Sequence, residues 1–109
     1  MLKQDVLCFG ETMAMFVAEQ LGDLASVSLF NKRIAGADSN VAIGLARLGF
    51  SVRWVSRVGD DSLGRFVLDN LRGEGLDCSD VQIDPAHPTG FQLKGRCDDG
   101  SDPAVEYFR

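Results

Sequence analysis

Residues 39–75 constrain this chain most: two helical stripes, each closed by a glycine, with one apolar strand between them. From Ser39, the residues Val41, Ala42, Leu45, Ala46 and Leu48 fall on one helical stripe. Asp38 or Ser39 can cap its N-terminus, and Gly49 is placed to end it. Ser51 to Val58 then reads as a strand carrying Val52, Trp54, Val55 and Val58, with Trp54 a core residue. Gly59-Asp60-Asp61 supplies a turn and the next cap. Leu63, Phe66, Val67 and Leu71 mark a second amphipathic helix, stopped at Gly75. Helices alternating with strands predict an α/β fold.

The remaining segments add strands. Val6 to Phe9 is a short continuous apolar run, the pattern of a parallel strand buried on both faces. Thr12 to Val17 and Val27 to Ile34 mix apolar and polar residues and read as a more exposed, antiparallel layer. Val81 to Ile83 is a short strand. Phe91 to Lys94 and Val105 to Arg109 alternate on either side of a Gly/Asp turn and are expected to pair as a hairpin. A doubly wound sheet needs more strands than these. The expectation is therefore the N-terminal portion of a longer protein.

Composition narrows the function classes. With 109 residues, 45% of them hydrophobic and 25% charged, the chain has a globular balance and room for one modest core. A net charge of -5 counts against nucleic acid as a partner. No apolar run is long enough to span a bilayer, and Lys3 and Asp5 count against a secretory leader, so no membrane partner is expected. Cys8, Cys78 and Cys97 are an odd, widely spaced set, which predicts reduced thiols and a cytoplasmic location. Cys8 reads as a small buried hydrophobe. One histidine and no CxxC pair leave no zinc pattern, and no metal site is expected. That histidine, His87, lies between Pro85 and Pro88 and reads as a surface loop residue.

The most suggestive chemistry lies in Ala35-Gly36-Ala37-Asp38-Ser39-Asn40, which joins a strand to a helix. Small residues let a ligand approach the backbone, and the helix N-terminus offers free N–H groups. A carboxylate and an amide, from Asp38 and Asn40, suit a polyol, whose hydroxyls need acceptors and donors. A plain turn with an N-cap fits the same residues. Glu11 leaves the carboxyl end of the first strand, where α/β proteins place ligands; it reads equally as the first solvated residue after a buried strand. Gly59 to Gly64 lacks the spacing of a calcium loop and the lysine of a P-loop, and its acidic pair reads as helix capping. Tyr107 and Arg109 can face an anionic or hydroxylated ligand, or solvent.

The stretch AGADSNVAIGLARLG followed by SVRWVSRVGDDSLG resembles the N-terminal signature of the ribokinase-like (PfkB) sugar kinases. The matching positions are Gly36, Asn40, Gly49 and Val58 to Gly64, and CFGE, LRGEGLD, TGFQLKGR and VEYFR extend the likeness over nearly the whole chain. Within that family, Gly-Glu after the first strand and the late Tyr-x-Arg resemble the 2-keto-3-deoxygluconate kinases, with fructokinases the nearest rival. The resemblance implies the N-terminal part of a doubly wound sheet with a small β-sheet lid near residues 12–35 and 90–109. It implies a sugar or sugar acid as substrate, with ATP and magnesium as cofactors. Gly36 and Asn40 would contact the sugar, with Ala37 and Asp38 in the same loop. Tyr107 and Arg109 would face the sugar acid, Arg109 pairing with its carboxylate. Gln92 stands where such kinases can carry an aromatic contact, a departure from the pattern. The family's catalytic aspartate lies in a Gly-Ala-Gly-Asp motif of the C-terminal half, so no catalytic residue is expected here and the chain alone is expected to be inactive. A second class of role is a non-catalytic sugar-binding or dimerisation module, in which the lid sheet pairs with a second copy.

Overall fold

The computed structural model describes residues 5–109, so Lys3 lies outside it. A base layer and a second sheet divide the chain. In the base, β1 (Val6–Phe9) pairs in parallel with β4 (Val52–Val55), and β5 (Arg57–Gly59) pairs in parallel with β6 (Gln82–Asp84). The expected single strand over residues 51–58 is broken at Ser56. The Ser56 hydroxyl donates to the Gly10 carbonyl at 2.6 Å, and its own carbonyl accepts from Gln82 at 3.0 Å, so the chain switches partner there.

Helix α1 (Ala37–Arg47) and helix α2 (Ser62–Gly73) cover one face of the base. Val52, Trp54 and Val58 form the core with Ala42 of α1, Val67, Leu68 and Leu71 of α2, and Leu76 and Cys78. Trp54 is 1% exposed, as its place in the strand pattern predicts. Strand side chains alternate between faces, so the other face is bare. Leu7 and Phe9 are 62% and 74% exposed there. The expected two-sided burial of Val6 to Phe9 is therefore corrected: only Val6 and Cys8 pack on the core. Cys8 is half-buried, Cys78 buried and Cys97 exposed, and all three are free thiols.

The helix stripes hold unequally. α2 buries Val67 and Leu71 and half-buries Leu63 and Phe66. In α1, Ala42 is buried, but Val41 and Leu48 point outward and are exposed, against expectation. The start of α1 also differs. Gly36, not Asp38 or Ser39, is its N-cap, and no side chain caps it. Ser39 lies buried inside the first turn and donates to the Gly36 carbonyl at 3.1 Å. Gly36 has φ +155° and sits where a Cβ would meet the Glu11 carbonyl at 2.6 Å, so glycine makes the corner. Gly49 and Gly75, at φ +100° and +89°, follow the two helices as expected.

The second sheet has the order β3-β2-β7-β8. Strand β2 (Met13–Ala18) pairs antiparallel with β3 (Phe30–Ala35), and β7 (Phe91–Lys94) pairs antiparallel with β8 (Val105–Phe108). The two hairpins join through a parallel ladder in which Ala14 faces Phe91 and Val17 faces Lys94. Phe91 stacks on Phe108 at 4.7 Å between ring centroids and meets the Phe16 edge at 5.9 Å. Lys32 Nζ lies 4.3 Å above the Phe66 ring, linking β3 to α2.

Candidate functional site

A cleft of about 370 Å³ opens where the second sheet overhangs the start of α1. Its base-side wall is Glu11, just beyond β1, with Gly36, Ala37 and Asp38 at the N-terminus of α1. Its sheet-side wall is Met13 of β2, Gln92 of β7, Tyr107 of β8 and Arg109. Strand register explains the second wall. Gln92 lies opposite Met15 on one side and opposite Tyr107 on the other, so Gln92 and Tyr107 share a face. Arg109, two residues on, returns to that face.

The sequence-predicted residues Gly36, Ala37, Asp38, Gln92, Tyr107 and Arg109 thus meet in one cleft. Asn40 does not line it. It sits within the first turn of α1, on the flank towards β3, and lines a separate groove of about 770 Å³ with Lys32, Arg33, Ile43 and Gly44. Met13 was not among the sequence-predicted residues. Its apolar side chain carries no chemical signal, and only the pairing of β2 with β7 brings it to the cleft.

The cleft combines opposite hydrogen-bonding capacities. Glu11 and Asp38 are acceptors when ionised, Arg109 is a donor, and Gln92 and Tyr107 can do both. Arg109 Nε lies 3.6 Å from Glu11 Oε1, and its guanidinium lies 5.3 Å from the Tyr107 ring centroid. Gln92 is buried, whereas the arginine and glutamate side chains are 60% and 48% exposed, so the ion pair is solvated and loosely held. Two glycines give the carboxylates room. A Cβ on Gly10 would lie 2.7 Å from Asp38 Cβ, and one on Gly90 would lie 3.1 Å from Glu11 Oε2.

A second hollow, about 300 Å³, adjoins across Glu11 at the carboxyl ends of β1 and β5. Thr12, Thr89, Arg57 and His87 line it, and the Thr12 hydroxyl is buried with no hydrogen-bond partner. His87 lies on the surface, as its loop predicts, with its ring 2.9 Å from Asp84 Oδ2. The Ala86 amide and the His87 ring hold the Asp84 carboxyl below the ordinary carboxylate range.

Between base and second sheet lies a compact polar knot. Asp61 caps α2, accepting from the Gly64 amide at 2.7 Å. The same carboxylate accepts from the Thr89 hydroxyl at 2.7 Å and from the Thr89 amide at 2.9 Å. The Thr89 hydroxyl in turn accepts from the Gly59 amide at 2.8 Å. Burial pushes the Asp61 carboxyl up, but the Thr89 and Gly64 hydrogen bonds, with Arg65 nearby, outweigh it and hold the group below its ordinary value. The knot explains the spacing Gly59-x-Asp61-x-x-Gly64. A Cβ at Gly59 would lie 2.6 Å from the Thr89 nitrogen, and one at Gly64 would lie 2.9 Å from its hydroxyl. The capping role of Asp61 was legible in the sequence. Its partner, 28 residues along the chain, was not.

A parallel base flanked by helices, with a small sheet overhanging the strand ends, is a ribokinase-like α/β architecture. The description of the pfkB family of carbohydrate kinases matches residues 3–96, and the chain belongs to that family. It is 51% identical over 109 residues to 2-dehydro-3-deoxygluconokinase of Bacillus subtilis, covering 99% of this chain and 33% of the relative. It is 38% identical over 91 residues to the enzyme of that name from Thermoproteus tenax, covering 84% of this chain and 28% of the relative. The crystal structure of a PfkB protein from Polaromonas sp. JS666 superposes with a TM-score of 0.93 at 52% identity, covering 98% of this chain and 35% of that one. The chain therefore spans about a third of the length of the curated relatives it matches.

Proposed function

We propose that this chain is the sugar-binding and lid portion of an ATP-dependent kinase that phosphorylates 2-keto-3-deoxygluconate. The observation that carries the reading is the convergence of Gly36, Asp38, Gln92, Tyr107 and Arg109 on one cleft between base and second sheet. Asp38 and Gln92 hydrogen-bond the sugar hydroxyls, and Arg109, steadied by the Tyr107 ring, takes the carboxylate. The α1 N-terminus adds free amides and the positive end of its dipole. The second sheet is the lid, spanning Met13–Ala35 and Phe91–Phe108, and residues 1–109 are the N-terminal portion of a single kinase domain.

ATP and magnesium supply the transferred phosphoryl group and neutralise its charge. Among the described residues no cluster of three or more metal-ligating side chains occurs, and neither ATP nor magnesium is assigned a residue here. The chain's own part is to bind, orient and cover the sugar; by itself it gives no turnover. Kinase activity above a no-protein blank would overturn that statement. The test of binding is a chemical-shift titration with 2-keto-3-deoxygluconate. Arg109→Leu is expected to weaken affinity about tenfold, through loss of a charge-assisted hydrogen bond. Equal affinity in the variant would remove Arg109 from the site.

A neutral sugar such as fructose is the second reading. It is favoured by the two carboxylates, Glu11 and Asp38, that share the cleft with one arginine. Fructose binding tighter than the sugar acid would select it. No helix among the described residues is long and apolar enough to cross a membrane. The odd, widely spaced cysteine set favours a cytoplasmic location. Strands β3 and β8 end the lid sheet, and we expect it to pair with a second copy there, which sedimentation reads directly.

A further inference from the structure

We infer that Glu11 is an internal competitor for Arg109: its carboxylate stands where a ligand carboxylate would pair, and so sets the balance between acidic and neutral sugars. The inference rests on the sugar-binding reading of the cleft.

Three observations carry it. Glu11 and Arg109 both line the cleft, and Arg109 Nε is 3.6 Å from Glu11 Oε1. Glu11 is also given room there, with Oε2 lying over Gly90, where a Cβ would come within 3.1 Å. Finally, the charges lining the cleft are Glu11, Asp38 and Arg109, two negative against one positive. An incoming sugar acid meets a cation that already has Glu11 as a neighbour, in a cleft lined by two negative charges and one positive. It binds by displacing Glu11 from Arg109. A neutral sugar needs no displacement. The pair is partly solvated on both sides, which keeps it weak enough to exchange.

The test compares 2-keto-3-deoxygluconate with its methyl ester, two ligands of nearly the same shape that differ in charge. Both are titrated into the wild-type chain and into Glu11→Gln, followed by NMR shifts of the cleft residues. Glutamine keeps the shape of Glu11 and removes its charge. The expected result is a fivefold to tenfold gain in affinity for the acid at low ionic strength, with the ester unchanged within about twofold. The gain should shrink at about 0.5 M salt, because the competition is electrostatic. A purely structural role for Glu11 would shift both ligands alike and ignore salt. That result, or weaker binding of the acid by the variant, overturns the inference alone. Absence of binding of either ligand to both proteins overturns the sugar-binding reading, and this inference with it.

Discussion

A methyl group at Gly10 or Gly36 would collide with the cleft wall, but with different neighbours. At Gly10 the obstacle is the Asp38 side chain, with Cβ and Cγ at 2.7 and 2.9 Å. Rotation about χ1 can carry the Asp38 carboxylate away but not its Cβ, so the start of α1 must also give by a few tenths of an ångström. Gly10→Ala is therefore expected to cost about 1–2 kcal/mol in stability and several-fold in sugar affinity, read by denaturant melts beside the titration. At Gly36 the nearest obstacle is the Glu11 carbonyl, which is backbone, and φ is positive. Gly36→Ala is expected to cost about 3 kcal/mol, more than Gly10→Ala, because neither steric source relaxes cheaply. The two glycines are visible in the sequence as glycines. Their collision partners are not, since both contacts depend on how β1 meets α1. The same limit explains Asn40. Its amide suits a sugar, but the flank of α1 it occupies is set by the corner at Gly36, and that flank faces a different groove.

Among the elements, the start of α2 is coupled to the segment leading into β7 through its cap Asp61 and Thr89. Asp61→Asn keeps some capping but loses the charge-assisted bonds to Thr89, and is expected to cost about 2 kcal/mol. Thr89→Val should cost a similar amount by leaving the Gly59 amide without its acceptor. Hydrogen exchange at the Gly59 and Thr89 amides should quicken in both variants. The pH dependence has a definite sign. The Asp61 carboxyl lies below its unfolded value when folded, so its contribution is fully present above about pH 4 and is lost as pH falls through the folded value. Asp61→Asn should flatten the acid limb of a stability–pH curve; an unchanged acid limb would show that the knot contributes nothing. Element type was largely legible, because apolar spacing and glycine stops are local signals. The break at Ser56, the uncapped start of α1 and the outward Val41 and Leu48 were not, because each is decided by what packs alongside.

At the scale of the molecule, the layout is flat. The radius of gyration is 15.4 Å, against about 13 Å for a compact chain of this length. Its extents of 51 × 34 × 17 Å reflect a base with helices on one face only. Leu7 and Phe9 on the bare face should bind a hydrophobic dye, and a Leu7→Thr, Phe9→Thr double variant should lose that signal. The change is expected to cost less than about 1 kcal/mol, since exposed side chains contribute little to the fold. The α/β class was readable from alternating elements, but the bare face was not: a run of four apolar residues looks the same with one face covered or two. The parallel ladder between β2 and β7 has a kinetic consequence. Each hairpin of the lid is a local structure that can form quickly by itself. Their union closes a loop containing nearly the whole base, so it is expected to come late in folding. Glu11, Met13 and Gly36 to Asp38 belong with the first hairpin and its flanks; Gln92, Tyr107 and Arg109 belong with the second. The cleft is therefore expected to come into being in the last assembly step, and a newly made chain would acquire most of its core before it could hold a ligand.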